Sequence, residues 1–247
     1  MGSCKRQMIF PDIAGEIFYF SKIDSTQAEA KRKLDDAISV PFTIIADTQI
    51  AGVGRFERKW YSPNGGTYFT WATDYLDNPA VSLIIGIALA NTLKKLIPGY
   101  DVSIKWPNDL IHHNDKIAGI LVEKYDNSLL IGIGINTFDD KDNYKSIPAG
   151  EWTRDEIIST FFHTLSSPWK NSDFSIWESF FLYGFEPFVH DFMELTFPQG
   201  TEIDVIQGKQ VTTGRFHRVG VNGEIMLNSD GEILRFLSGE VSIKLHT

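Results

Sequence analysis

The stretch from residue 80 to residue 135 limits the fold most strongly. It opens with an apolar run, 80–97, which is hydrophobic nearly all round up to Asn91 and therefore predicts a helix buried against a sheet. Pro98-Gly99 ends that helix. β-type runs with turn residues between them follow, at 102–106, 109–112, 116–125 and 129–135. One long helix on a meander of hairpins predicts an α+β fold, with a mixed or antiparallel sheet packed against helices.

The chain changes character after Pro198-Gln199-Gly200. About five short β-type runs alternate with turn residues between 201 and 247, and Asn222-Gly223 and Asp230-Gly231 are strong hairpin signals. Short strands at this spacing predict a small C-terminal β-barrel. We therefore predict two domains, 1–196 and 197–247.

Shorter patterns predict the remaining elements of the N-terminal domain. Thr153 with Glu156 fits a capping box, which predicts the start of a helix. Strands are expected at 17–20, 42–48 and 67–73, and helices at 28–38, 153–169 and 173–193.

The composition fits a globular protein and argues against several partners. Of the 247 residues, 43% are hydrophobic and 22% charged, and the formal net charge of −9 disfavours nonspecific binding to nucleic acid or anionic membranes. Cys4 is the one cysteine, so we expect neither an intrachain disulfide nor a cysteine-based metal site. The N-terminus has no signal-peptide pattern, and the apolar run 80–90 is too short to span a bilayer. A cytoplasmic protein is expected.

A long polar connection, residues 49–60, joins the predicted strands at 42–48 and 67–73 and far exceeds the length that a hairpin needs. Its glycines let backbone N–H groups approach a ligand, and its arginines suit phosphate or carboxylate groups. Trp60 is placed to cover an aromatic ring. Taken alone, the segment fits a solvated surface loop equally well.

The start of the helix at 28–38 has a structural and a functional interpretation. Thr26 with Glu29 fits a capping box, and Asp24 or Ser25 could equally be the N-cap. The same hydroxyls and free N–H groups would suit a polar ligand. On these residues alone, capping is the stronger interpretation.

Two strand features also bear on a ligand. Lys116 heads an otherwise apolar strand, which indicates either an exposed strand end or a fixed cation beside a pocket. Gly132 and Gly134 alternate within a strand, which indicates close approach of a backbone or a ligand. The third glycine and the following helix of a dinucleotide-binding fingerprint are missing, and no P-loop pattern occurs.

In this order and spacing, the motifs resemble those of the biotin protein ligases. The resemblance covers nearly the whole chain and rests on the stretches 24–26, 49–60, 105–110, 116–123, 132–136 and 239–242. It implies a biotin/lipoyl ligase-like catalytic domain followed by an SH3-like barrel. It also implies the monofunctional type, because the segment before the strand at 17–20 leaves no room for an N-terminal DNA-binding domain.

Two positions depart from the family's loop pattern. Val53 stands where the family has an arginine, which is tolerable if this position acts through its backbone N–H. Glu57 stands where the family has a glycine and puts a negative charge between Arg55 and Arg58. We therefore expect weaker ATP binding or a salt bridge within the loop.

The resemblance implies an ATP-dependent ligase. Biotin would be activated as biotinyl-5′-AMP and then transferred to a specific lysine of the carrier domain of a biotin-dependent carboxylase. ATP, Mg²⁺ and the substrate biotin are the implied ligands. Mg²⁺ would be carried by ATP rather than by a dedicated protein site, with Asp109 as the candidate ligand or as the group that orients the incoming lysine.

The resemblance assigns the site residues to three groups. The catalytic residues would be Lys116, Arg55 and Asp109. The biotin-binding residues would be Ser25, Thr26, Gln27, Gln49, Val53, Gly54, Arg55, Lys116, Leu121, Gly132 and Gly134. The ATP- and adenylate-binding residues would be Arg55, Arg58, Trp60, Asn108 and Asn136, and the loop 50–59 is expected to become ordered over the adenylate.

Two rival functions remain open from the sequence. A lipoate or octanoate ligase shares the fold and the chemistry, but its linear acyl tunnel does not call for the Ser25, Thr26 and Gln49 set. A non-catalytic binding module would have no use for Lys116 together with the phosphate-facing arginines. Neither DNA nor a membrane is expected as a partner, and a homodimer stays open because only some family members pair.

Overall fold

The computed structural model describes residues 10–137, 145–148, 150, 152–170, 172–238 and 241–245. Cys4, most of the polar stretch 139–150, and Gly239 and Glu240 of the last family motif lie outside the described residues.

The larger sheet has seven strands and is mixed, as predicted. Its order is β1-β2-β3-β7-β6-β5-β4. The pair β1 and β2 is parallel, and the remaining neighbours are antiparallel. The strands are β1 (Glu16–Phe20), β2 (Phe42–Ala46), β3 (Thr67–Asp74), β4 (Ser103–Lys105), β5 (Asp109–His112), β6 (Asp115–Tyr125) and β7 (Ser128–Ile135).

Helices cover both faces of this sheet. Phe69 and Trp71 of β3 point to one face and pack against aromatic side chains of α3 and α4. On the opposite face, α1 packs over β2, β3 and β7. The helices are α1 (Thr26–Asp35), α2 (Val81–Leu96), α3 (Arg154–Leu165), α4 (Ile176–Tyr183) and α5 (Val189–Leu195). Every helix in the described part of the chain is too short or too polar to span a bilayer.

The prediction of one continuous helix over 173–193 was wrong. The chain forms α4, a short 3-10 turn and α5, with the break at Gly184. Gly184 has φ of +67° and donates its N–H to the carbonyl of Phe180, which ends the helix in a conformation that favours glycine. The apolar pattern continues through the break and therefore conceals it.

The start of α1 is capped by Ser25. Its Oγ accepts hydrogen bonds from the backbone N–H groups of Gln27 and Ala28, at 3.2 and 3.5 Å. The alternative capping box from Thr26 to Glu29 was wrong, because Thr26 is already the first helical residue and Glu29 binds Arg32. The capping box predicted for α3, by contrast, is present in full.

A second, five-stranded antiparallel sheet follows α5 and is consistent with the predicted SH3-like domain. It contains β8 (Glu202–Gln207), β9 (Gln210–Val219), β10 (Ile225–Ser229), β11 (Glu232–Phe236) and β12 (Val241–Leu245), in the order β11-β10-β9-β8-β12. Its apolar face joins the main hydrophobic core. The indole N–H of Trp106 donates to the carbonyl of Gly223, at 2.9 Å, so the two sheets also meet through a buried polar contact.

Candidate active site

A cavity of about 510 Å³ opens beside the main sheet, on the face that carries α1. All the residues that the sequence predicted as site residues line it: Ser25, Thr26, Gln27, Gln49, Val53, Gly54, Arg55, Arg58, Trp60, Asn108, Asp109, Lys116, Leu121, Gly132, Gly134 and Asn136. The structure therefore gathers positions more than one hundred residues apart into a single site.

The floor of the cavity is formed by β6 and β7, and its shape depends on glycine. Gly119 and Gly134 are direct partners across the two strands. A Cβ atom on Gly134 would lie 2.5 Å from Nε1 of Trp60, and one on Gly132 would lie 2.8 Å from Oε1 of Gln27. Both contacts are too short for a side chain, so these glycines leave a trough that other groups enter.

Hydrogen bonds between side chains build the polar end of the trough. Oε1 of Gln49 accepts from the backbone N–H of Thr26, at 2.8 Å, and from its hydroxyl, at 3.1 Å. Nε2 of Gln49 donates to Oγ of Ser62, at 2.8 Å. These bonds fix Gln49 before any ligand arrives, which is the preorganisation that a specific polar site needs.

A residue that the sequence analysis missed, Thr70, supports this polar end. Its hydroxyl lies 2.9 Å from Oγ1 of Thr26 and 3.0 Å from Oε1 of Gln27. Gln27 in turn donates its side-chain N–H to the carbonyl of Leu130, at 3.2 Å. The only sequence signal for Thr70 is a polar residue within a buried strand, which the strand pattern by itself does not separate from a structural threonine.

The lid segment, defined as residues 50–60, covers the trough. The N–H of Gly54 donates to the carbonyl of Arg58, at 2.7 Å, and the N–H of Trp60 donates to that of Gly52, at 2.8 Å. Between these contacts, Phe56 and Glu57 have φ of +58° and +57°. Left-handed backbone disfavours bulky side chains, so the segment is strained at both Phe56 and Glu57.

Positive charge collects where the lid meets the sheet. Nζ of Lys116 lies 2.7 Å from Oδ1 of Asp109 and 4.9 Å from the centre of the Trp60 ring. Burial lowers the pKa of Arg55, against the opposing effect of nearby Asp109. Burial likewise lowers the pKa of Lys105, which also lies near Asp109 and Lys116. Asp109 is thus the anion at the centre of a cationic cluster.

Arg55 links the lid to the C-terminal sheet. Its Nη1 donates to Oδ1 of Asn108, at 3.2 Å, and its Nη2 donates to the carbonyl of Ser238, at 2.5 Å. Asn108 donates to the carbonyl of Ile120, at 2.9 Å. The guanidinium carbons of Arg55 and Arg58 lie 4.8 and 5.7 Å from the centre of the Phe56 ring, so both cations contact this ring.

Trp60 lies directly on the strand glycines in this structure. The short distance from Gly134 leaves no room for a second ring between the indole and the sheet. Its Nε1 is buried and has no hydrogen-bond partner among the described residues. The stacking role predicted for Trp60 therefore requires the indole to move away from the sheet when a ligand binds.

Sequence comparison reveals relatives for the chain. The family model described as "Biotin/lipoate A/B protein ligase family" matches residues 19–137. The bifunctional ligase/repressor BirA of Escherichia coli is 30% identical over 242 residues, which are 93% of this chain and 74% of that protein. The chain belongs to the biotin protein ligase family.

Further comparisons agree with that membership. A biotin–[acetyl-CoA-carboxylase] ligase of Paracoccus denitrificans is 33% identical over 126 residues, which cover 47% of this chain and 52% of that protein. The biotin protein ligase of Aquifex aeolicus, solved with biotin and ATP, superimposes with a TM-score of 0.81 at 26% identity, covering 94% of this chain and all of that one. The predicted resemblance, the α+β fold and the enzyme class, a biotin–protein ligase, are confirmed.

Several lining residues were not assigned from the sequence. Lys59, Gly119, Ile120 and Ser242 lie within quoted family motifs, so their position was a usable signal. Lys145 lies within the polar stretch 139–150, and the sequence around it does not distinguish it from an ordinary surface lysine. Asn136 connects it to the site by donating to its carbonyl, at 2.9 Å. Among the other unassigned lining residues, Phe56 and Ile133 also lie within those motifs, and Tyr61 and Asp115 directly adjoin them.

Proposed function

We propose that the protein converts biotin and ATP to biotinyl-5′-AMP and transfers the biotinyl group to a lysine of a carboxylase carrier domain. The observation that carries the proposal is the meeting of a polar, preorganised pocket end and a cationic cluster in one cavity. Adenylation of a carboxylic acid needs both features. The polar end would bind the part of the acid remote from its carboxylate, and the cationic cluster would bind the phosphates of ATP.

The polar end suits the ureido group of biotin. Ser25, Thr26, Gln27 and Gln49 offer hydroxyl and amide groups around the end of the trough, and the backbone of Val53 and Gly54 would complete it. The ureido group has one carbonyl acceptor and two N–H donors, so a mixed set of donors and acceptors matches it. The trough over Gly132 and Gly134, with Leu121 beside it, would hold the rings and the tail.

The cationic cluster suits the phosphates. In the first step a carboxylate oxygen of biotin attacks the α-phosphorus of ATP, the bond to the bridging oxygen breaks, and pyrophosphate leaves with that electron pair. Negative charge increases on the phosphate oxygens, and Arg55, Arg58 and Lys116 would stabilise it. Trp60 would stack on the adenine after moving away from the sheet, while Asn108 and Asn136 would bind polar groups of the adenylate.

Asp109 has a positioning role toward Lys116 and fits a minor role toward Mg²⁺. Its carboxylate pairs with Lys116, at 2.7 Å. The described residues hold no group of three or more histidine, cysteine or acidic side chains suited to a metal. A single carboxylate nevertheless fits Mg²⁺ that is already bound to ATP phosphates. Asp109 would then be its protein ligand, and the ion would neutralise phosphate charge.

A specific contact set favours biotin over a linear acyl substrate. A lipoyl or octanoyl chain has no ureido group, and the hydrogen-bonded set of Thr26, Gln49 and Ser62 would face apolar carbon. Burying polar groups against carbon costs free energy, so this end of the trough discriminates against such chains. Competition between biotin and lipoate for transfer to their carrier domains, read by intact mass, measures the preference.

One experiment tests the function as a whole. The protein is incubated with ATP, Mg²⁺, biotin and an unmodified carboxylase carrier domain, and the intact mass of the carrier is measured by mass spectrometry. We expect one added biotinyl group, with release of pyrophosphate that depends on biotin. If pyrophosphate is not released, the protein is a binding module and the proposal fails.

The division at residue 197 is also proposed, with 1–196 as the catalytic domain. The C-terminal sheet contributes to the site through the contact of Ser238 with Arg55, and Ser242 lines the cavity. We infer that this domain helps to hold the lid arginine in position.

A further inference from the structure

A second cavity, of about 320 Å³, adjoins the active-site cavity. Arg55, Asn108 and Ile120 line both cavities and form the boundary between them. The rest of the second wall comes from Asn78, Pro79, Val81 and Ser82 in the first turn of α2, Pro107, Val122 and Ser238. Among its described lining residues, Arg55 and Asn108 are the two that were assigned above to biotin or ATP.

Hydrogen bonds hold the boundary between the cavities. Arg55 donates to Asn108 and to the carbonyl of Ser238, and Asn108 donates to the carbonyl of Ile120. The hydroxyl of Ser238 donates to the carbonyl of Pro79, at 3.1 Å, and this bond fixes the outer rim of the second cavity. The second cavity is therefore a fixed space that reaches the cationic cluster, where the acyl phosphate would lie.

The chemistry of the second wall suits an aliphatic chain with a neutral end. Half of its described lining residues are proline, valine and isoleucine, and Arg55 supplies the one charged side chain among them. Pyrophosphate carries several negative charges and would be matched better by the lysines and arginines of the first cavity. A lysine side chain has an aliphatic stem, and a nearby cation favours its uncharged amine because like charges repel.

We propose, on the basis of the proposed ligase function, that the second cavity is the channel through which the acceptor lysine reaches the adenylate. The amine nitrogen forms a bond to the acyl carbon, the bond from that carbon to the phosphate oxygen breaks, and AMP leaves with the electron pair. The ammonium form of lysine loses one proton before attack and the nitrogen loses a second afterwards, both to water. A separate entrance lets the lid stay closed over the adenylate while the amine enters.

Two bulky substitutions test the channel. Pro79→Trp narrows its exposed rim without touching the packed core, and Val122→Phe narrows its wall. Val211→Trp, on the exposed surface of β9, is the matched control. For each full-length variant, pyrophosphate release with biotin and ATP is measured first. Transfer from preformed biotinyl-AMP to the carrier domain is then measured in a single turnover.

We expect both channel variants to slow transfer at least about tenfold, since the amine no longer reaches its attack position. Pyrophosphate release should stay within about twofold of the wild type, because narrowing the channel leaves the first cavity unchanged. Unchanged transfer in Pro79→Trp overturns the channel. A raised KM for ATP in a folded Pro79→Trp variant also overturns the channel, because it would show that the second cavity holds phosphate groups of ATP. Absence of pyrophosphate release in the wild type is the distinct result that overturns the ligase function itself.

Discussion

The floor and the lid of the site face each other but are built by different means. On the floor, the register of β6 and β7 sets Gly119 opposite Gly134 and Leu121 opposite Gly132, so backbone pairing fixes the shape. On the lid, residues 50–60, a few local hydrogen bonds hold an exposed chain. Phe56 there is 49% exposed, and Phe56 and Glu57 both have left-handed backbone.

Because of this difference, the floor is expected to be rigid and the lid is expected to move. A strand pair within a seven-stranded sheet moves only if several ladder bonds break, whereas a loop with few buried contacts opens at low cost. If the proposed function holds, the floor selects the acyl group and the lid excludes water. Substitutions in the two regions should then change different kinetic quantities.

The largest effect should come from Lys116→Ala. Removing the ammonium group beside the proposed phosphate site should lower the rate of biotinyl-AMP formation by about 10²- to 10³-fold, with the fold intact. Pyrophosphate release measures the rate, and circular dichroism measures the fold. Lys124→Ala, on the same strand but outside the cavity, is the control. Near-normal adenylate formation in Lys116→Ala would remove this lysine from catalysis.

Gly134→Ala should break the floor. The new methyl group would fill the part of the trough where the rings and tail of biotin would lie, and we expect KM for biotin to rise about tenfold. Gly86→Ala is the matched control, because its methyl would meet only Ile104 and Ile120 side chains at 3.5 Å or more. Equal KM values for both variants would show that the trough is not the biotin site.

Glu57→Gly should stabilise the closed conformation of the lid. Glycine adopts the left-handed conformation without the side-chain penalty, so the closed segment should gain about 1 kcal/mol, and KM for ATP should fall severalfold. Glu57→Gln removes the charge and retains the Cβ atom. If Glu57→Gln lowers KM for ATP as much as Glu57→Gly does, the effect comes from the charge of Glu57 alone.

Ligands should protect the lid from trypsin. Arg55, Arg58 and Lys59 are cleavage sites within the exposed segment, and biotin with ATP should slow their cleavage severalfold by ordering it. Cleavage after Lys209, in the turn between β8 and β9, serves as the internal reference. If the ratio of lid to reference cleavage does not change, the lid does not close.

The smallest effect should come from the ion pair beside the start of α1. Two hydrogen bonds from Arg32 hold the pKa of the Asp24 carboxyl at about 2. A lowered folded pKa stabilises the protein above the ordinary value of 3.8, and the contribution is lost as pH falls toward about 2. An exposed pair contributes at most about 1 kcal/mol. The stability of Asp24→Asn should therefore lie slightly below wild type at neutral pH and converge with it in acid.

The strands of the floor were predictable because turn residues bound each of them. The hairpin signals around β5, β6 and β7 lie in the sequence itself, and alternating glycines marked the trough. The break at Gly184 was not predictable, because a helical apolar pattern continues on both sides of it. Periodicity reports which face is buried and does not report where a chain bends.

The site was predictable where a motif carried it and not where packing created it. Family motifs identified Arg55, Asn108 and Lys116, but the support of Thr26 by Thr70 depends on the register of β3 against its neighbours. The resting position of Trp60 on Gly134 likewise depends on the path of the lid in three dimensions. Spacing along the chain contains neither piece of information.

The bond between Trp106 and Gly223 has a consequence for how the protein can be divided. The indole is 1% exposed and belongs to a hydrophobic core that includes both sheets. The next residues along the chain, Pro107 and Asn108, lead to Asp109 at the centre of the cationic cluster. Cutting the chain near residue 197 and separating the two parts would therefore expose core residues next to the candidate active site. The two parts are expected to fold and unfold together.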